Sequence, residues 1–166
     1  MFFYSFVLDL LIHFSNLMII YLGTDHAGFA LKEQVKAYLA DQGHTVVDKG
    51  AYELHADDDY PDFIAPVAQA ISENPNDAHG IIFGRSGQGE AMVANRFIAV
   101  RAAVYYGGPL EMVALERKHN NANVLSLAAQ FISFDEAKAA IAIWLATDYE
   151  GGRHEARLRK MDGLPA

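Results

Sequence analysis

The chain has 166 residues, of which 52% are hydrophobic and 20% charged, with a net charge of −8 and no cysteine. These totals describe one globular domain with room for a substantial core, not a disordered chain. They exclude disulfides, thiolate catalysis and cysteine-bound zinc, and they argue against a general nucleic-acid binder, so any anion site must be a local cluster of basic residues.

Residues 1–17 (MFFYSFVLDLLIHFSNL) differ in character from the rest of the chain. The apolar run is shorter than the ~20 residues that span a bilayer. It has no basic flank before Lys32 and no small-residue cleavage site, so a secretory signal is not expected. It is expected to be an apolar extension outside the fold, such as one from an upstream start codon, the alternative being a helix that touches a membrane or packs on the core, with a single domain over 18–166. No membrane association is expected. The lack of cysteine permits a reducing compartment, and the cytoplasm is the expected location.

Met18–Gly23 is a buried-strand run, followed by the polar loop Thr24-Asp25-His26-Ala27-Gly28. Leu31, Val35, Tyr38 and Leu39 fall on one helical face, and Gly43 stops that helix. His44–Asp48 is a second strand and residues 50–60 an acidic loop. Pro61 suits a first helical position, with an apolar face over Phe63–Ser72. A turn at 74–77 leads to a central strand at 80–83, a glycine loop, and a helix to about Asn95. Val100–Tyr105 is a fourth strand, Leu110–Lys118 a helix, Ala122–Leu127 a fifth strand and Phe134–Leu145 a helix. Arg153–Met161 is a basic C-terminal helix. Five apolar strands alternating with about five helices give an α/β fold, a parallel sheet with helices on both faces. In such a sheet the ligand sits at the C-terminal strand ends, near the switch in strand order. The loops expected there are 24–28, 50–60, 84–90, 105–109 and 128–132.

The central stretch, Gly80–Arg96, carries the chemistry. A strand, a loop with Gly84, Gly87 and Gly89, and a helix aim N–H groups at an anion. Glu90 stands at the loop's exit. A carboxylate beside such donors can take a proton from carbon while they hold the oxyanion. The plainer alternative is a tight turn with Glu90 near a helix N-terminus. Asp25 and His26 follow the first strand and so lie at the ligand edge. His119, at a helix end, either meets the helix dipole or shuttles protons as sugar-ring opening requires. Arg153 and Arg157 share a helix face and suit a phosphate, unless they pair with Glu150 and Glu155. Metal is not expected: His79, His119 and His154 are scattered in sequence, and Asp57-Asp58-Asp59 reads as a solvated loop without the calcium-loop pattern. No nucleotide P-loop and no serine nucleophile elbow is present.

Five stretches in order, GTDHAGFALK (23–32), DYPDF (59–63), GIIFGRSGQGEAMVANR (80–96), RKHNNANVL (117–125) and YEGGRHEAR (149–157), resemble the type B ribose-5-phosphate isomerases and the related galactose-6-phosphate isomerase subunits. The resemblance covers Met18 to about residue 162. It implies a Rossmann-like three-layer sandwich with a five-stranded parallel sheet, and an aldose–ketose isomerase working through a cis-enediolate without metal or organic cofactor. It implies a sugar-phosphate substrate and a homodimer, possibly a tetramer, with sites built from both subunits. By position Asp25 and His26 resemble the substrate-binding pair and Tyr60 the loop tyrosine. Ser86, with the loop N–H groups through Gly87 and Gly89, resembles the enediolate hole. His119, followed by Asn120, resembles the ring-opening acid/base, and Arg153 and Arg157 the phosphate ligands. Many members carry a cysteine base where Gly84 stands; another branch uses a glutamate where Glu90 stands. Arg85 replaces an expected glycine, costly if that position needs a positive φ, and its guanidinium would reach the pocket. Gln130 replaces an arginine, removing one phosphate contact. The leading expectation is interconversion of ribose and ribulose 5-phosphates. The alternatives are another sugar-phosphate isomerase, such as one for hexose 6-phosphates, and a sugar-phosphate-binding protein without catalysis.

Overall fold

The computed structural model describes residues 18–164. The expected extension over residues 1–17 lies outside the described residues. The elements are β1 (Ile19–Thr24), α1 (Phe29–Asp41), β2 (Thr45–Asp48), α2 (Tyr60–Glu73), β3 (Ala78–Gly84), α3 (Gln88–Ala94), β4 (Ala102–Tyr105), α4 (Leu110–Asn120), β5 (Val124–Ala128), α5 (Phe134–Leu145) and α6 (Arg153–Asp162). The five strands form one parallel sheet in the order β2-β1-β3-β5-β4. Among the described residues there are six helices, each where the sequence reading placed one.

The apolar runs work as parallel strands because both faces are covered. β3 is buried along its whole length. Ile81 and Phe83 face a core with Leu31, Val35 and Leu39 of α1, Val113 of α4 and Ile141 and Trp144 of α5. Ile82 faces the other way, onto Ile64, Val67 and Ile71 of α2 and Ala94 of α3. The period-two alternation of the strand thus sorts the helices into two layers. The expected three-layer, Rossmann-like sandwich is the observed fold.

Several boundaries moved by one or two residues, as in β5, which opens at Val124 and not at Ala122, and two of the shifts have identifiable reasons. Val100 and Arg101 precede β4 instead of opening it. Ala99 has φ 61°, and the Arg101 N–H is taken by the Asn123 side chain at 2.8 Å rather than by a neighbouring strand. α2 begins at Tyr60, one residue before the expected Pro61, which still occupies the first turn where its missing N–H costs nothing.

Strand order places the site. From β1 the chain crosses to β2 on one side and then to β3 on the other, so the loops leaving β1 and β3 diverge and open a crevice between them. Its floor is tight. The Thr24 hydroxyl donates to the Phe83 carbonyl at 3.0 Å. Gly28 is pressed so closely on Phe83 that any Cβ would lie 2.5 Å from the Phe83 Cβ.

Candidate active site

Glu90 lies in the first turn of α3, and its side chain is turned inward: the residue is 4% exposed. The room for it comes from Gly84, the last residue of β3. A Cβ built on Gly84 would overlap the Glu90 carboxylate. Between them Gly87, at φ 73°, reverses the chain and caps α3 in a conformation that suits glycine. Its carbonyl accepts a 2.6 Å hydrogen bond from the Ser126 hydroxyl of β5, which pins the loop to the sheet. Burial raises the Glu90 pKa, and the nearby charge of Asp25 adds to the rise, against a smaller lowering by the residue's own N–H. Burial, the largest of these causes, sets the direction.

The other candidate residues of this edge lie on the neighbouring loops, with Asp25 near enough for its charge to reach Glu90. Asp25 is 6% exposed and its Oδ1 accepts the Ala27 N–H at 2.9 Å. His26 Nδ1 lies 3.9 Å from Asp25 and 2.6 Å from Asp58. The Asp58 hydrogen bond, with smaller help from the charge of Asp25, raises the His26 pKa. Tyr60 packs on the glycine loop: a Cβ on Gly89 would lie 3.0 Å from its hydroxyl. Ser86 is partly buried, and its Oγ accepts the Gln88 N–H at 3.4 Å. Arg85 is exposed, and its φ is not in the left-handed region, so the anticipated steric cost of replacing glycine does not arise. Its carbonyl accepts the Gln130 N–H at 3.2 Å, so positions 85 and 130 are neighbours across two loops.

His119, Asn120, Arg153 and Arg157 stand elsewhere. α4 returns from the C-terminal edge to the start of β5, so His119 lies at the opposite end of the sheet from Glu90. Gly80 pairs with Val124 at one end and Gly84 with Ala128 at the other. At about 3.3 Å per residue that stretch alone separates the groups by about 13 Å. One chain therefore holds two separate clusters, candidate half-sites, and does not bring Glu90 to His119.

At the second half-site His119 stacks on His154, ring centroids 4.3 Å apart and planes 9° from parallel. Glu150 lies 4.0 Å from both Nε2 atoms. The histidines read as scattered are in fact paired here, while His79 sits edge-on to Trp144 in the core, its pKa lowered to about 4 by burial and by the charges of Arg117 and His44. Burial, His119 and the two arginines lower the His154 pKa. Stacked rings put their lone pairs in parallel planes, so a metal ion cannot lie in the plane of both. At the other half-site the 2.6 Å contact between His26 and Asp58 needs a proton between the two atoms, which a shared metal would displace. Arg153 and Arg157 are exposed, and among the described residues neither pairs with Glu150 or Glu155; Arg157 instead approaches His154 Nδ1 at 3.4 Å.

Sequence reasoning missed Asp58. It read residues 57–59 as a solvated run, which holds for the exposed Asp57 and Asp59 but not for Asp58, whose side chain is 10% exposed. Three consecutive aspartates carry no signal that tells them apart. Among the described residues no helix is long and apolar enough to cross a membrane.

The profile of the Ribose/Galactose Isomerase family matches residues 20–161. Ribose-5-phosphate isomerase B of Mycolicibacterium paratuberculosis is 38% identical over 142 residues, 85% of this chain and 87% of that one. Its counterpart from Escherichia coli is 35% identical, over 86% and 93%. Among solved structures, ribose-5-phosphate isomerase B of Mycoplasma genitalium with bound ribulose-5-phosphate superposes with a TM-score of 0.84 at 35% identity, covering 87% of this chain and 94% of that one. The enzyme from Thermotoga maritima gives 0.83 at 39% identity, over 89% and 99%. The fold, the ordered motifs and these likenesses agree: the chain belongs to the ribose/galactose isomerase family.

Proposed function

We propose that this protein interconverts ribose 5-phosphate and ribulose 5-phosphate through a cis-enediolate, with Glu90 as the base. The observation that carries the reading is the Glu90 carboxylate, buried in space left by Gly84 and with a raised pKa, beside the glycine loop. Glu90 takes the proton from C2 of the open-chain aldose. The electron pair moves into a C1–C2 double bond, and the charge that develops on oxygen is held by Ser86 and the N–H groups of residues 85–89. A proton passes between the two oxygens, and Glu90 returns its proton to C1. Asp25, His26 and Tyr60 hold the sugar. The bound ribulose 5-phosphate of the Mycoplasma genitalium relative supports the choice of a pentose. Incubation with ribose 5-phosphate in heavy water tests it: the expected result is ribulose 5-phosphate with deuterium at the exchanging carbon. Tight binding without turnover or exchange would make the protein a binding module, and faster turnover of a six-carbon aldose phosphate would move the substrate.

The separation of the half-sites supports a homodimer in which His119, Asn120, Arg153 and Arg157 of one copy face Glu90 of the other, a tetramer being two such dimers. His119 then opens the sugar ring, and the arginines and Asn120 take the phosphate. Subunit exchange between inactive Glu90→Gln and His119→Ala proteins is expected to restore roughly a quarter of native activity, since half the dimers are then mixed and each has one intact site of two. No recovery, or an active monomer by sedimentation, overturns the shared site. The cytoplasm remains the proposed location.

Arg153→Ala and Arg157→Ala are expected to raise KM by roughly ten- to a hundredfold with little change in kcat. Phosphate contacts persist from ground state to transition state, and a charged hydrogen bond is worth about 1.5–3 kcal/mol. Unchanged kinetics in both would leave the arginines as solvated surface. Arg85 gains a role from its neighbour. It stands beside Gln130, where many members place an arginine, so its exposed guanidinium is proposed to supply the cation that position 130 lacks.

A further inference from the structure

Asp58 lies in the loop between β2 and α2, and its bonds are unusually concentrated. Oδ1 accepts the backbone N–H of His26 at 2.9 Å and stands 2.6 Å from His26 Nδ1. Among the described residues, the buried Oδ2 has no hydrogen-bond partner. Among the described residues, every hydrogen bond of this side chain goes to a single residue 32 positions away. A carboxylate that only stapled its own loop would bond to that loop's backbone, as Asp48 does to the N–H of Gly50. Asp58 instead joins the acidic loop to the loop after β1, and it does so through the imidazole.

A carboxylate only accepts, so a nitrogen 2.6 Å away must carry the proton. Nδ1 is then the donor, and Nε2 is the atom left for a ligand. The His26 side chain is 39% exposed, and among the described residues its Nε2 has no partner. The bond at one ring nitrogen decides what the other can do. We propose that Asp58 is a positioning residue for the isomerase reaction: it locks the His26 ring with Nδ1 as donor, so that Nε2 meets an oxygen of the sugar phosphate. This rests on the isomerase reading for its consequence but not for its geometry. The charged groups facing the ring are Asp58 and, at 3.9 Å, Asp25, with Glu90 beyond Asp25. Both aspartates favour the imidazolium, in which Nε2 donates to substrate oxygen.

The test reads the ring directly, by ¹⁵N shifts of labelled histidine in the full-length protein, with His26→Gln for assignment. In Asp58→Ala the His26 signal is expected to lose its Nδ1–H signature and its titration midpoint to fall. The kcat/KM for ribose 5-phosphate is expected to drop on the order of 10²-fold, as misplaced binding groups do. Asp58→Asn keeps a carbonyl acceptor at the same place. It is expected to restore the tautomer and most of kcat/KM, while the midpoint stays low because the charge is gone. A native tautomer and midpoint in Asp58→Ala overturn the proposal; so does a changed tautomer with native kcat/KM. If the alanine variant does not fold, an unchanged midpoint in Asp58→Asn overturns it instead. Because the spectrum needs no turnover, a protein inactive on ribose 5-phosphate still reports whether Asp58 sets the ring.

Discussion

Glu90→Gln is expected to lower kcat by about 10²–10⁴, the usual range for general acid–base catalysis, with KM little changed. The substitution keeps size and hydrogen bonding and removes only the base. The effect falls on kcat because proton abstraction belongs to the transition state and not to binding. The pKa direction adds a second readout. Burial raises the Glu90 pKa above its ordinary value, so the acid limb of kcat/KM is expected above the range of a solvated glutamate and absent from the residual activity of the glutamine variant. A third readout is stability. An acid whose folded pKa is raised contributes stability that is fully present below its unfolded pKa and lost as pH rises through the folded one. Native protein is therefore expected to lose stability relative to Glu90→Gln across that window, and the variant to melt higher at neutral pH. Near-native kcat in Glu90→Gln, with loss of C2 exchange in Asp25→Asn and intact binding, would move the base to Asp25.

The fold was legible because its central strands β3 and β5 are buried on both faces, and such strands read as unbroken apolar runs bounded by glycine and asparagine. Ile81, Ile82 and Phe83 announce β3 without help from the rest of the chain. The cluster at the C-terminal edge was legible only in part: a parallel sheet puts the loops after its strands at one edge, and the observed adjacency of β1 and β3 then brings Asp25 and His26 near Glu90. Contacts set by side-chain direction were not legible. His119 and His154 stack only because α6 folds back beside the end of α4, which no spacing of residues announces. Asp58 is distinguished from Asp57 and Asp59 only by the course of a loop without repeating geometry. Arg85 drew a strain argument from its place among glycines, yet its backbone is ordinary; the positive φ falls two residues later, at Gly87.

Gly84→Ala is expected to abolish turnover nearly as completely as removing Glu90, by about 10²–10⁴ in kcat, although residue 84 donates no side chain to the reaction. The reason is space. The backbone at Gly84 is not left-handed, so alanine meets no conformational penalty there. What it meets is the Glu90 carboxylate, which occupies the volume a Cβ would need. That carboxylate is the far end of a flexible side chain, so the protein can fold with the group pushed aside, and melting is expected to change far less than activity. Displacement and removal of one base are the same loss, so Gly84→Ala/Glu90→Gln is expected to be no worse than either single variant. A full multiplication of the two effects would show that Gly84 acts by some other route. The same overlap fits the two alternatives the resemblance implies, a cysteine base after the third strand or a glutamate at the loop's end: both would claim one volume. Gly84→Cys with Glu90 retained is therefore expected to be inactive. Gly84→Cys/Glu90→Ala opens that volume to a thiol and is expected to recover part of the C2 exchange. The recovery should grow with pH, because only the thiolate is a base and a thiol loses its proton near ~8.5. A double variant as inactive as Gly84→Cys at every pH would show that the two bases do not share one position.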